Sequence, residues 1–404
     1  MTSPSPRLIT PTFLLAWLVN VTLFFSFYFV ITIMALYAVR EFRASDAMAG
    51  LAASSFVVGA TLARVFSGLV VDSVGQRPVL LVSLAVAAGA CALYVPVDSL
   101  AWLIIVRFVH GFGYAFASTA VMSVAQSVIP ESRRAEGTGY LALGSTLGTA
   151  IGPALALTIV DSFSYPTLFW ITTGVCVTGL VLGLFLRAPD IVAADAADPA
   201  RFTLRDLVHP AVIPIGVFML IIGICYAGVV TYLNAYAAER DLLTGAGLFF
   251  LAYATAMFVM RFILGRIQDQ RGDNVVMYFG MLNFVLSLVV LALAAQNWQV
   301  VVAGALCGMG FGTLMPASQS IAVRLVPAHL MATGFSTLLL LADVGIGLGP
   351  VLLGLVITTT GYGPMFALLA VLVVAAGVFY QATHGRRAAT ASGTATCAST
   401  PARR

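Results

Sequence analysis

Four residues of the segment RVFSGLVVDSVGQR return later in the chain. Arg64, Gly68, Asp72 and Gly75 are matched by Arg261, Gly265, Asp269 and Gly272, a constant offset of 197 positions. The same offset joins Gly111 to Gly308, Gly113 to Gly310, Pro130 to Pro327, Gly137 to Gly334, Gly148 to Gly345, Gly152 to Gly349 and Pro153 to Pro350. Glycines, prolines and charges held in one register across half a chain mark a duplicated unit. Whatever the first half folds into, the second half must fold into again.

Composition then restricts the choice of unit. Sixty per cent of the residues are apolar and 9% are charged, against about 25% charged in a soluble domain. The chain is therefore expected in a bilayer, where backbone hydrogen bonding leaves only helices and closed barrels. Apolar runs fall at roughly 12–38, 47–70, 78–97, 100–125, 137–160, 166–187, 211–236, 244–265, 275–295, 299–323, 332–358 and 364–382, each near the length of about 20 residues that one helical crossing needs. This predicts an all-α membrane protein with twelve transmembrane helices in two bundles of six, over residues 1–187 and 211–383. Residues 188–210 form the only long connection, with a short helix expected at Phe202–Leu207. Residues 384–404 read as a disordered tail rich in Ala, Ser and Thr.

The chain has 20 arginines and no lysine, and their placement fixes an orientation. With the N-terminus in the cytoplasm, sixteen of them fall inside or at the inner boundary, and Arg40, Arg43 and Arg240 fall outside. Both termini are thus expected in the cytoplasm, in a multi-pass protein of the cell membrane. Topology accounts for the positive charge, so no nucleic acid is implied, and a monomer is expected. Five scattered cysteines show neither CxxC nor histidine spacing, and they read as packing residues, not disulfides or metal ligands. No GxxxxGK[ST] loop, HExxH or GxSxG occurs. The expectation is a protein that is no enzyme, takes no cofactor and does not draw on ATP.

The motifs carry a family resemblance. RxxxGxxxDxxGxR (Arg64, Gly68, Asp72, Gly75, Arg77), placed between spans 2 and 3, with its echo Arg261, Gly265 and Asp269, resembles the loop signature of the major facilitator superfamily of secondary transporters. Arg107, Gly111 and the residues between them are similar to its RxxxG motif, and Gly148, Gly152 and Pro153 to the GxxxGP motif of its efflux antiporters. The glycines that usually follow that motif are here Ala154, Leu155 and Ala156. The resemblance implies the major facilitator fold, two six-helix bundles related by a pseudo-twofold axis and rocking about a central cavity. It also implies that Asp72 meets the N-terminus of helix 11 and holds the inner side shut, where a helix dipole favours an anion. The other reading of Asp72 and Arg77 is a loop that merely anchors topology.

Three residues are candidates for proton coupling. Arg107 lies about 10 Å deep at 1.5 Å per residue, where an arginine is costly unless it faces a cavity or a partner. In the antiporter branch the matching arginine is thought to help move protons. His110 belongs to the one residue type that titrates near neutral pH unperturbed, and a cavity position and plain packing are both open for it. Asp343, near the middle of span 11, is the one acid away from loops and span ends. It either carries the proton or pins its helix to a neighbour. Many drug–proton antiporters of the family carry an acid in helix 1, whereas this span offers Asn20.

Helices 1, 4, 7 and 10 line the cavity in the family, which makes Asn20, Phe24, Tyr28, Tyr226, Tyr232, Asn234, Met309 and Gln319 the candidate substrate contacts. Aromatic faces with a few polar groups suit an amphipathic organic solute. Gly148, Gly152 and Pro153, with Gly345, Gly349 and Pro350, are read by the family as gating elements. Small residues at that spacing also serve close packing alone. The expected function is proton-coupled efflux of a small amphipathic drug or metabolite, a multidrug antiporter. The RxxHG run followed by Ile129–Tyr140 also resembles the branch of sugar-efflux-like permeases and exporters of opine-type metallophores. Uptake by symport or facilitated diffusion is a further alternative, and a sensor built on the same helices another.

Overall fold

The computed structural model describes residues 8–187 and 207–386, the side chains of 46 and 47 excepted. All regular structure among the described residues is helical. In chain order the helices are α1 (Pro11–Phe42), α2 (Asp46–Val74), α3 (Gln76–Leu93), α4 (Leu100–Val128), α5 (Arg134–Leu141), α6 (Leu143–Ser162) and α7 (Tyr165–Phe185). After the linker come α8 (Ile213–Glu239), α9 (Leu243–Arg271), α10 (Asp273–Leu293), α11 (Asn297–Arg324), α12 (Met331–Thr360) and α13 (Tyr362–Tyr380). Among the described residues, twelve segments are long and apolar enough to cross a membrane, α5 and α6 sharing the fifth. The helix expected at 202–207 lies, but for its last residue, outside the described residues, as does the expected tail from 387; its first three residues, 384–386, are still helical and so are not disordered.

Helix ends follow local chemistry. Thr10 caps α1 by accepting from the Phe13 N–H at 3.2 Å, and Ser164 caps α7 from Thr167 at 3.3 Å; a proline occupies the first turn of each. The largest departure from the sequence expectation is at the signature motif. α2 continues to Val74 and α9 to Arg271, beyond the expected ends at 70 and 265, so Asp72 and Asp269 are still helical, and Asp72 shares one face of α2 with Arg64 and Gly68. The chain turns only at Gly75 and at Gly272, whose φ of 106° and 87° glycine adopts without strain.

Two compact units result. One holds residues up to 131, 141–210 and 325–337; the other holds 132–140, 211–324 and the residues from 338. A cut at the linker alone misses the two short segments, and hydrogen bonding explains them. Ala332 and Thr333 donate to Asp72 of the first unit, while Ala135 and Glu136 donate to Asp269 of the second.

Inside each unit the helices pair alike. α2 and α3 pack on α4, and α7 on α1 and α3; α9 and α10 pack on α11, and α13 on α8 and α10. Lipid supplies no hydrophobic force between helices, so close backbone approach at small residues does the work. A methyl group at Gly111 would lie 2.0 Å from the Phe56 carbonyl oxygen, and one at Gly308 2.3 Å from that of Tyr253. Both members of these pairs obey the sequence offset, so the duplication extends to individual contacts.

Candidate functional site

Asp72 sits in the last turn of α2, facing the first turn of α12. Its carboxylate accepts from the backbone N–H of Ala332 at 3.2 Å, the N–H of Thr333 at 2.8 Å and the Thr333 hydroxyl at 2.7 Å. The first N–H groups of a helix have no partner within it and concentrate the positive end of its dipole. A carboxylate there satisfies two of them at once. Gly68, one turn earlier, makes the approach possible: its Cα faces Thr333 so closely that a methyl group would come within 2.5 Å of the Thr333 Cα.

The second unit repeats the arrangement at α5. Asp269 accepts from the N–H of Ala135 at 2.9 Å and of Glu136 at 2.8 Å, and a methyl group at Gly265 would meet the Glu136 Cα at 2.7 Å. Charges surround this copy. Glu136 pairs with Arg133 at 2.8 Å and Arg266 at 3.6 Å and accepts from the Tyr140 hydroxyl at 3.1 Å. Arg324 lies 3.9 Å from Asp269 and also pairs with Asp273, which His384 reaches at 3.3 Å. Arg261 is buried beside a small void of about 20 Å³ lined also by Gly139, Gln268 and Thr313, with Nε and Nη1 unpartnered. Arg64 is its buried counterpart in the first unit, and Arg77 donates to the Leu184 carbonyl at 3.1 Å.

Arg107 and His110 belong to one network in the first unit. Arg107 is 0% exposed; its Nε and Nη2 donate to the carbonyls of Ala52 and Ala53 at 3.3 and 2.9 Å, and the guanidinium lies 5.0 Å from the centre of the Phe56 ring. Carbonyl dipoles and a ring face are the partners that make a deep cation tolerable. Its Nη1 is buried without a hydrogen-bond partner. His110, equally buried, has Nδ1 3.0 Å from the Tyr94 hydroxyl and Nε2 3.5 Å from Cys91 Sγ.

The other candidates fall into two groups. In the first unit Asn20 is buried and donates to the Leu141 carbonyl at 3.0 Å, at the break between α5 and α6. Phe24 packs edge-on to Tyr114, and Tyr28 lies against Gly148 and Gly152, where a methyl would sit 2.9 and 2.6 Å from it. In the second unit Tyr226 stacks on Phe311 at 3.7 Å, Met309 is half-buried, Gln319 is buried and Asn234 is exposed. Tyr232 donates to the Pro350 carbonyl at 2.6 Å, and Gly345 and Gly349 bring α12 against Leu220, Ile224 and Ala227 of α8. The Gly-Pro elements around Pro153 and Pro350 thus each pack against the first helix of their own unit. Asp343 is half-buried close to the middle of α12, between Ala342, whose carbonyl faces Gly223, and Gly345.

The family model of the Major Facilitator Superfamily matches residues 16–336 and 243–396. The chain belongs to this superfamily. Multidrug resistance protein MdtG of Serratia proteamaculans is 25% identical over 392 residues, 93% of this chain and 95% of that protein. The staphylopine export protein of Staphylococcus aureus is 24% identical over 354 residues, 83% of this chain and 87% of its own. The crystal structure of the human organic anion transporter MFSD10 shares the fold, with a TM-score of 0.81 at 16% identity, covering 92% of this chain and 100% of that one.

In this Major Facilitator Superfamily member several site residues escape motif reading. Thr333 and Glu136 occupy equivalent positions in the repeat, as do Gln76 and Asp273, and Ser127 and Arg324. Comparing the halves position by position exposes them; a search for matching residues passes over them because they differ. Tyr94, Cys91 and Cys176, which surround His110, carry no signal in the sequence.

Proposed function

We propose that this transporter exports a small amphipathic organic compound from the cytoplasm in exchange for protons, with Asp343 as the proton carrier. The observation that carries the reading is the position of that carboxyl, half-buried close to the middle of a membrane-length helix. An ionisable group at such depth is expensive and is by default functional. Its neighbours Ala342 and Gly345 touch α8 with backbone atoms, so a change of charge on Asp343 acts on a tightly packed helix pair. Arg107, held by two carbonyls and a ring, supplies a fixed positive charge and exchanges no proton in this reading. His110 takes no part in coupling.

Substrate is met by the half-buried aromatic faces of Phe24, Tyr28 and Tyr226. Asn20 and Tyr232, which already bind backbone carbonyls, act as supports for α6 and α12. Alternating access exposes these surfaces to each side in turn, and breaking the Asp72 contact to the α12 N-terminus accompanies the inward opening. The protein works as a monomer in the cell membrane with both termini in the cytoplasm, and catalyses no covalent reaction.

Everted membrane vesicles test the coupling. Adding an amphipathic cation such as ethidium to vesicles that hold a preformed acid interior should release the pH gradient, and Asp343→Asn should abolish that release. Unchanged release in Asp343→Asn overturns the assignment of the proton. The similarity to a staphylopine exporter supports a second reading, export of an amino-acid-derived metallophore. Counterflow in proteoliposomes with such a compound against ethidium separates the two, and accumulation driven inward by an imposed proton gradient overturns export altogether.

A further inference from the structure

We infer that the first unit contains a binding site for a soft monovalent metal ion, copper(I) by its chemistry, formed by Cys91 of α3, His110 of α4 and Cys176 of α7. The three side chains are fully or almost fully buried, and their donor atoms, two Sγ and one imidazole nitrogen, all lie within 4.8 Å of one another. Cys91 Sγ stands 3.5 Å from Cys176 Sγ and 3.5 Å from His110 Nε2. Donors bound at about 2.0–2.3 Å to one ion are themselves about 3.5–4 Å apart. Two of the three separations therefore already match those around a shared ion, and the third, within 4.8 Å, needs less than about 1.5 Å of closure.

The surroundings fit the same occupant. Tyr94 Oη lies 3.0 Å from His110 Nδ1; when Nδ1–H donates to that oxygen, Nε2 keeps its lone pair for the metal, the outer-shell arrangement that orients histidine ligands. Two soft thiolates and a borderline imidazole suit copper(I) or zinc over harder cations. Charge selects the valence. Two thiolates, one monovalent ion and Arg107, buried on α4 three residues before His110, sum to zero. A divalent ion would leave one positive charge uncompensated in a low-dielectric interior. Loading is balanced as two thiols plus M⁺ giving a bis-thiolate complex and two protons released to the buffer.

Sequence spacing conceals the site, because its members are 19 and 85 residues from Cys91. Only the packing of α3 on both α4 and α7 unites them. Loading ties these helices together and should raise the thermal stability of the protein.

The full chain in lipid nanodiscs, reduced and freed of reductant without oxygen, is titrated with silver(I), which needs no reductant to stay monovalent. One tightly held equivalent per chain is expected, with a near-ultraviolet thiolate charge-transfer band and a higher unfolding temperature. Cys91→Ala/Cys176→Ala should lose that equivalent and the band. Cys225→Ala/Cys307→Ala/Cys397→Ala should keep both. Tyr94→Phe, which leaves all three donors in place, should weaken binding by about tenfold or more, as loss of an outer-shell partner does. Ethidium transport monitors folding of each variant. Retention of silver by the double variant, its loss from the triple variant, or undiminished affinity in His110→Asn overturns the proposal. So does a Cys91–Cys176 disulfide in the chain as isolated, accompanied by no silver uptake after reduction.

Discussion

Asp72 and Asp269 are copies of one another that solve the same problem in different company. Each places a carboxylate on the first backbone N–H groups of a helix, at Ala332 and Thr333 or at Ala135 and Glu136. The first copy adds a neutral donor, the Thr333 hydroxyl. The second has Glu136 at that position, which donates nothing from its side chain, and gathers Arg133, Arg266 and Arg324 around two acids. Gln76 and Ser127 of the first copy bond locally, Gln76 Nε2 to Ser123 and Ser127 to the Val124 carbonyl, where the second has the Asp273–Arg324 pair. One scaffold thus supports a contact made by short directional bonds and another made by a charge network. The first is expected to depend on shape and the second on ionic conditions.

Shape gives the largest effect. A methyl group at Gly68 would lie 2.1 Å from Ser336 Oγ and 2.5 Å from the Thr333 Cα, whereas at Gly265 the nearest atoms are 2.7 Å away. Gly68→Ala is expected to separate α2 from α12 and abolish transport, with an overpacking cost at the upper end of about 1–3 kcal/mol. Gly265→Ala should keep measurable transport. Thermal unfolding and ethidium efflux measured on both variants check this, and equal losses would break the comparison.

Charge removal comes next. Asp72→Asn exchanges a carboxylate for an amide whose NH2 must face an N–H, so at least one of three donors loses its partner. Hydrogen bonds to a charged group contribute about 1.5–3 kcal/mol each, and the transport rate is expected to fall by about ten- to a hundredfold. Asp269→Asn should lose less, because Arg324 still holds Asp273 and Glu136 still holds Arg133. A smaller step isolates the hydroxyl. Thr333→Val keeps the shape and both N–H bonds, and should cost about 1 kcal/mol, read as a lower unfolding temperature that Asp72→Ala cancels in a double-mutant cycle.

What the sequence disclosed about these sites is what duplication preserves. The offset of 197 residues exposes Gly68 with Gly265 and Asp72 with Asp269, and the apolar runs place all twelve crossings to within a few residues. The apolar runs stop short of the helix ends at the motif, at 70 and 265, because Asp72 and Asp269 break the run without breaking the helix. On α2 they occupy one face, and that face finds its partners only when α12 arrives. Asn20 illustrates the other limit. As a polar residue in an apolar run it reads as a cavity contact, yet it donates to the Leu141 carbonyl at a helix break that the sequence does not announce. The cluster at His110 was invisible for the same reason, since contact between helices distant in sequence depends on side-chain packing and not on periodicity.

The smallest expected effect tests the comparison most directly. Glu136 holds two arginines, one of which, Arg266, has a side chain 62% exposed. Exposed pairs contribute about 0.2–1 kcal/mol, and salt weakens them as the screening length falls from about 10 Å at 0.1 M to about 3 Å at 1 M. Bonds from backbone N–H to a carboxylate at a helix terminus are short and partly buried, and are screened far less. Raising ionic strength should therefore weaken the Asp269 copy and leave the Asp72 copy nearly unchanged. The readout is hydrogen exchange at the amides that donate in each copy, Ala135 and Glu136 against Ala332 and Thr333. Exchange at the first pair should quicken with salt by about 1.4- to fivefold, equivalent to the range for exposed pairs. Glu136→Gln should reproduce part of that acceleration at low salt and reduce the salt dependence to what the Arg324 pairs contribute. If the Ala332 and Thr333 amides respond to salt equally, the two copies are held by the same force and the differences between them are incidental.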